Sequence, residues 1–155
     1  MIVNISLYID VFRPLPQVFT FVSRPENDFY WQYGTLTADQ ISIGEMGVGT
    51  LFRSVGHFLG RRFESVYEVT EYRPNQVYGF RSQSGPIASY TVYTFEMIRG
   101  VTRMAASIQA SLCEPFITKP MMAEKAVKKE HRENLALLKE ILESSRTGNS
   151  AGSPL

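Results

Sequence analysis

The 155-residue chain carries one cysteine, Cys113, and two histidines, His57 and His131. A single cysteine excludes an internal disulfide and any cysteine-rich metal site, and it fits the reducing conditions of the cytoplasm. Two histidines without clustered partners argue against a metal centre, so no metal and no cofactor is expected. A dominant charge is missing as well: Lys plus Arg number 16 against 15 for Asp plus Glu, a net charge of +1. That balance gives no reason to expect nucleic acid or an anionic surface as partner. No apolar run approaches the ~20 residues of a membrane span, so stable membrane insertion is not expected. The opening MIVNISLYIDVFRP lacks a basic lead and carries Asn4, Ser6 and Asp10. It reads as a strand and not as a signal peptide. There is no nucleophile elbow, no paired catalytic carboxylates and no dinucleotide fingerprint.

What the chain does have is rings: 10 Phe, 8 Tyr and 1 Trp. In one domain of ordinary length, that many aromatics mean either a dense aromatic core or an aromatic-lined hollow.

Residues 2–11 alternate, with Val3, Ile5, Leu7 and Ile9 on one side, the period of a half-buried strand. Pro14 can open a helical turn, and Val18, Phe19 and Val22 recur at helical spacing. Ser23, followed by Pro25 and Glu26, is the expected N-cap of a second short helix ending by Gly34. From residue 35 to 112 six strands are expected, separated by the glycine-dense run 44–49, Leu59-Gly60, Arg73-Pro74-Asn75, Gly85-Pro86 and Arg99-Gly100. The Gly44, Gly47, Gly49 run lacks the lysine and the helix of a phosphate loop. It is expected to turn a hairpin at one edge of a cavity mouth. From Lys119 to Ser145 the pattern is a long amphipathic helix: Val127, His131, Asn134, Leu135, Leu138, Ile141 and Leu142 share a face. Lys125, Lys128, Lys129, Arg132, Lys139, Glu140 and Glu143 share the other, with Glu124–Lys128 and Lys129–Glu133 as i,i+4 pairs. Glu130 counts among the acidic residues that neutralise this solvated face.

This order predicts an α+β domain in which one long helix covers the apolar face of a seven-stranded antiparallel sheet. A twisted sheet cannot touch a straight helix evenly, so one end packs tightly and the other, beneath the first turns of the helix, leaves a hollow.

Several runs carry a resemblance: PLPQVFTFVSRPENDFYWQ (14–32), GEMGVGTLFR (44–53), LGRRFESVYEVTEYRPNQVYGFRSQSGP (59–86), YTFEMIRGVTRM (93–104) and KAVKKEHRENLALLKEILES (125–144). Together they resemble the polyketide cyclase/dehydrase and lipid-transport family of the START-like (SRPBCC) superfamily. The resemblance implies the helix-grip fold over residues 1–145, a single START-like ligand-binding domain, with 146–155 as a disordered tail. It implies a ligand between the C-terminal helix and the sheet. Alternation and resemblance together turn Phe52, Ser54, Phe58, Phe63, Ser65 and Tyr67 inward. They do the same for Tyr78, Phe80, Tyr93, Phe95, Met104, Ala106 and Ile108. Val127, His131 and Asn134 are the helix's contribution.

His131 admits two readings. It is either a polar anchor or acid/base group on the cavity wall, or a packed histidine with one nitrogen satisfied. For catalysis the packed reading is preferred; for lining the cavity, the pocket is. Tyr67, Tyr78 and Tyr93 are the natural donors to a ligand oxygen, although a core role is expected for one or two of them. Glu124 is expected to be exposed and to offset Lys128; Trp31 is expected to plug the core; Cys113 has no partner to activate it.

The preferred function is a cytoplasmic, non-catalytic binding protein for a small hydrophobic molecule: a lipid, an isoprenoid or an aromatic polyketide-like compound. The alternative is a cyclase or dehydratase using the same cavity, with His131 and a tyrosine moving protons. A third reading, a protein-interaction role, requires a filled core and a large exposed apolar patch. Nothing in the sequence fixes an oligomeric state.

Overall fold

The period-2 pattern of Val3, Ile5, Leu7 and Ile9 forms β1 (Ile2–Val11), whose inward residues Val3 and Ile5 are fully buried. The computed structural model describes residues 1–113 and 119–144. After β1 come α1 (Leu15–Val22), a single 3-10 turn (Pro25–Asn27) and α2 (Asp28–Trp31). Six strands follow: β2 (Thr35–Gln40), β3 (Leu51–Phe58), β4 (Arg61–Arg73), β5 (Val77–Ser84), β6 (Ala88–Ile98) and β7 (Val101–Ser111). The chain then forms α3 (Pro120–Ser144). Ser145 and the tail expected at 146–155 lie outside the described residues.

The strands make one antiparallel sheet in the order β1-β7-β6-β5-β4-β3-β2. Only the first strand is out of sequence, because it closes the sheet beside β7 with Ile5 opposite Ile108 and Leu7 opposite Ala106. The hairpins at Leu59-Gly60 and Arg99-Gly100 have positive φ at both turn residues. That is the mirror-image turn whose twist matches the strands it joins. The 13-residue β4 carries two register shifts against β5, between Val66 and Tyr67 and between Val69 and Glu71. Bulges of this kind bend a strand and sharpen its twist, and here they curl the sheet toward α3.

Packing along α3 is uneven. Leu135, Leu138 and Leu142 in its second half are buried. Lys139 donates to the carbonyl of Asp10 and pairs with Glu143 at 2.7 Å. The Glu143 carboxylate in turn accepts the N–H of Phe12 at 2.9 Å, and Arg13 donates to the Glu143 carbonyl. This end is therefore clamped to the end of β1. The expectation that Lys139 and Glu143 belong to a solvated face is corrected: the turn after β1 reaches them. The Glu124–Lys128 pair forms at 2.9 Å, whereas Lys129 and Glu133 are not paired.

Two local expectations change. Ser23 does not cap the second helical turn; its backbone N–H donates to Phe19 and closes α1, and Arg24 precedes the 3-10 turn. The second segment ends at Trp31, before Gly34, because the chain must turn early to enter β2. Trp31 is buried as expected, with its ring centroid 6.0 Å from that of Tyr93. Among the described residues no helix is long and apolar enough to cross a membrane.

Candidate functional site

A cavity of about 140 Å³, open on one side, lies beneath the first half of α3. The sheet supplies its floor. Phe52 on β3 stacks on Tyr67 of β4, opposite it in register, with centroids 5.1 Å apart and an interplanar angle of 20°. Phe80 on β5 meets both rings edge-on, at 5.2 and 5.5 Å. Tyr93 on β6 completes the aromatic wall, 6.2 Å from Phe80. The roof is one stripe of α3: Val127, Glu130, His131 and Asn134. Positions 127, 130, 131 and 134 fall on one face because a helix repeats every 3.6 residues.

Two glycines let the backbone close the side wall. A β-carbon on Gly56 would stand 2.5 Å from the carbonyl oxygen of Gly34, so β3 and the chain entering β2 can touch only without a side chain there. The contact is fastened by the His57 N–H donating to that same carbonyl at 2.8 Å. A β-carbon on Gly34 would stand 3.1 Å from Glu130 Oε1, so the Glu130 carboxylate rests on the bare backbone of Gly34.

Burial sets the protonation of the site. Removal from water disfavours charge, which pushes His131 down to about 4 and leaves its imidazole neutral at pH 7. The same cause raises Tyr93, with repulsion from the neighbouring acidic groups Asp28 and Tyr67 adding to it. Tyr67 is raised by burial and partly relieved by the Ser65 and Ser89 hydroxyls. Asp28 is 8% exposed, and burial holds its carboxyl well above the ordinary range, with Glu26 adding repulsion. Glu130 is raised by burial and then by Glu133. The cavity therefore combines ring surface, phenol donors, a neutral imidazole and two carboxyls, and among the described residues no Lys or Arg lies on its wall.

The sequence-derived residues divide. Phe52, Ser54, Phe58, Phe63, Tyr67, Phe80, Tyr93, Ile108, Val127, His131 and Asn134 line the cavity. Five others do not. Tyr78 sits behind the wall, against Phe80 at 5.3 Å and Tyr72 at 6.4 Å. Phe95 meets Phe19 edge-on at 5.1 Å, because α1 covers that end of the sheet. Met104 and Ala106 are packed in the core, Ala106 opposite Tyr93 on one neighbouring strand and Leu7 on the other. Ser65 is buried beneath Gly85, where a β-carbon would stand 2.3 Å from its Oγ. Asn134 is committed in part: its Oδ1 accepts the backbone N–H of Tyr33 at 2.9 Å. The glycine run 44–49 is no part of the cavity wall; it forms a solvent-facing connection that exposes Ile43 and Val48.

Asp28, Glu130, Thr91, Ala110 and Leu112 also line the cavity. Glu130 could have been found, since it stands between Val127 and Asn134 on the inward stripe. Asp28 could not, because a one-turn helix has no periodicity to show which side it buries. Among the described residues no group of three His, Cys, Asp or Glu could hold a metal ion.

No family model matches the sequence, and no curated protein does. Solved structures are similar. The aromatase/cyclase Zhui from Streptomyces sp. R1128 superposes with a TM-score of 0.77 at 12% identity, over 99% of each chain. A START superfamily protein from Mycobacterium smegmatis gives 0.77 at 14% identity, over 91% of this chain and 97% of that one. Ara h 8.0201 gives 0.68 at 12% identity, over 93% and 99%. The chain has the START-like helix-grip fold. At such identities the likeness concerns fold, and function rests on the site.

Proposed function

We propose that this protein binds a small, largely apolar molecule between α3 and the sheet, without catalysing its conversion. The observation that carries the reading is the cavity itself: about 140 Å³ of unfilled space walled by Phe52, Tyr67, Phe80 and Tyr93. Burying apolar ligand surface there at about 25 cal/mol per Å² supplies most of the affinity. Tyr67, Tyr93 and His131 orient the ligand's polar atoms. A comparable engineered cavity of about 150 Å³ takes up benzene. The enclosed part thus accommodates one ring, and a longer lipid, isoprenoid or polyketide-like chain extends through the open side. Residues 1–145 act as one domain, in the cytoplasm. Native mass spectrometry of gently purified protein should show a small-molecule adduct, and single-ring hydrocarbons should raise the melting temperature. Ala110→Leu, which fills the wall, should abolish that rise. A panel of aromatics and lipids that never shifts the wild-type melting temperature overturns the reading.

A second reading, cyclase or dehydratase chemistry, is favoured by one observation: a neutral imidazole, His131, and a phenol donor, Tyr93, line the same cavity. The pair offers a proton acceptor and a donor. His131→Ala with a candidate polycarbonyl substrate separates the readings: lost turnover with retained binding supports the enzyme, and unchanged turnover dismisses this role.

A further inference from the structure

The least explained group in the cavity is Asp28. It is 8% exposed and lines the cavity, and its carboxyl has no hydrogen bond or ion pair among the described residues. A buried carboxyl without a partner costs the fold free energy, so something other than stability accounts for its place. Its neighbours do not neutralise it: the charge acting on it is that of Glu26, and Asp28 in turn raises the phenols of Tyr67, Tyr78 and Tyr93. Glu130 brings a second carboxyl to the same cavity, resting on Gly34, and among the described residues it too lacks a cationic partner.

Three ligand chemistries could meet such a wall. An anion, such as a fatty acid, would face two carboxyls and, among the described residues, no cation, which disfavours it. A carbonyl compound could accept a hydrogen bond from a protonated Asp28, but the second unpaired carboxyl gives it nothing. A protonated amine satisfies both observations: its N–H groups are donors for a carboxylate, its charge favours ionisation of the two carboxyls against the burial that opposes it, and the surrounding ring faces attract cations.

We propose that the ligand of this cavity is a small arylalkylammonium compound, its ring against Phe52, Tyr67 and Phe80 and its ammonium on the Asp28 carboxylate. This deepens the binding reading above and rests on it. Ring burial gives affinity, the Asp28 carboxylate selects the cation, and Glu130 adds attraction from the side of Gly34. The pairing also explains why a carboxyl is kept where an amide of equal size would fold better.

The test is a matched series with a common ring: 2-phenylethylamine, 2-phenylethanol, 3-phenylpropionate and ethylbenzene. Each is titrated at pH 7 against methyl resonances of Val127, Leu112 and Ile108. The amine should bind about tenfold or more tighter than the alcohol, the scale of a hydrogen bond to a charged group, and the carboxylate weakest. Asp28→Asn should bring the amine down to the level of the alcohol, with ethylbenzene as the apolar reference; Glu130→Gln should cause a smaller loss. Equal binding of amine and alcohol, or an amine preference that survives both variants, overturns the ammonium proposal while the apolar-ligand reading stands. If no member of the series, ethylbenzene included, shifts those resonances, the cavity reading falls and the ammonium proposal with it.

Discussion

The backbone N–H of Tyr33 donates to Asn134 Oδ1 at 2.9 Å, tying the chain between α2 and β2 to the middle of α3. Asn134 is buried at the boundary between the clamped half of the helix and the half above the cavity. Asn134→Leu removes that bond from a part-buried N–H and should cost about 1 kcal/mol, the net worth of one hydrogen bond. Asn134→Asp keeps an acceptor and should lose less. Urea unfolding of the two variants checks the order.

Asp28→Asn should stabilise the protein, and the gain should depend on pH. Because burial raises the folded-state carboxyl, the native chain holds this proton after the unfolded chain has released it. Stability from this group is thus complete below the unfolded carboxylate range and is lost as pH rises. The amide removes the loss. Melting temperatures of wild type and variant should converge near pH 3.5 and separate in favour of the variant toward pH 8. A variant less stable than wild type at pH 8 would contradict the absence of a partner for Asp28.

His131 titrates in the opposite sense. Its folded value is pushed down to about 4, so between about 6.5 and 4 the unfolded chain binds the proton first and stability falls with pH. The whole shift corresponds to an upper figure of about 3 kcal/mol. Asp28 and Glu130 bind protons more readily in the native state and offset the fall, so the difference between variants is the clean measure. His131→Gln should flatten the decline between pH 6.5 and 4 relative to wild type, by denaturant titration at each pH.

Gly56→Ala should be costly although the residue sits in mid-strand, where alanine is ordinarily tolerated. Its β-carbon would strike the Gly34 carbonyl, a backbone atom that cannot rotate away. A loss of about 1–3 kcal/mol is expected from the overpacking. Faster hydrogen exchange of the His57 amide, which bonds that carbonyl, would accompany it.

The strands were legible because each has its own period and its own stop. β1 alternates over ten residues, and Leu59-Gly60 and Arg99-Gly100 mark their hairpins by residue type alone. The hollow beneath α3 was legible from the mismatch between a straight helix and a twisted sheet, and the inward rings of Phe52, Tyr67, Phe80 and Tyr93 from alternation together with the family resemblance. Inward direction, however, is not the same as facing the cavity. Phe95, Met104 and Ala106 point to the correct side, yet they lie on the stretch of β6 and β7 that α1 meets, and no local pattern states which stretch of a sheet a distant helix will cover. Asp28 escaped for the opposite reason: burial came from β2 and α3 packing against one turn of helix, a tertiary effect with no trace in its neighbours. The glycine run 44–49 read as part of the mouth, but β2 ends before it and the connection swings outward.

The ion pair and carbonyl contacts at Lys139 and Glu143 make α3 a beam fixed at one end. Among the described residues its other end meets α2, buries Ala123 and Val127 and rests Glu130 on Gly34, above the cavity. A guest wider than the resting hollow need not melt the sheet to gain room: lifting the unanchored turns, with the fastened turns as fulcrum, widens the gap most where the rings are. Capacity in this molecule is therefore set by leverage, and amide protection along the helix should grade from weak near Ala123 to strong near Leu142.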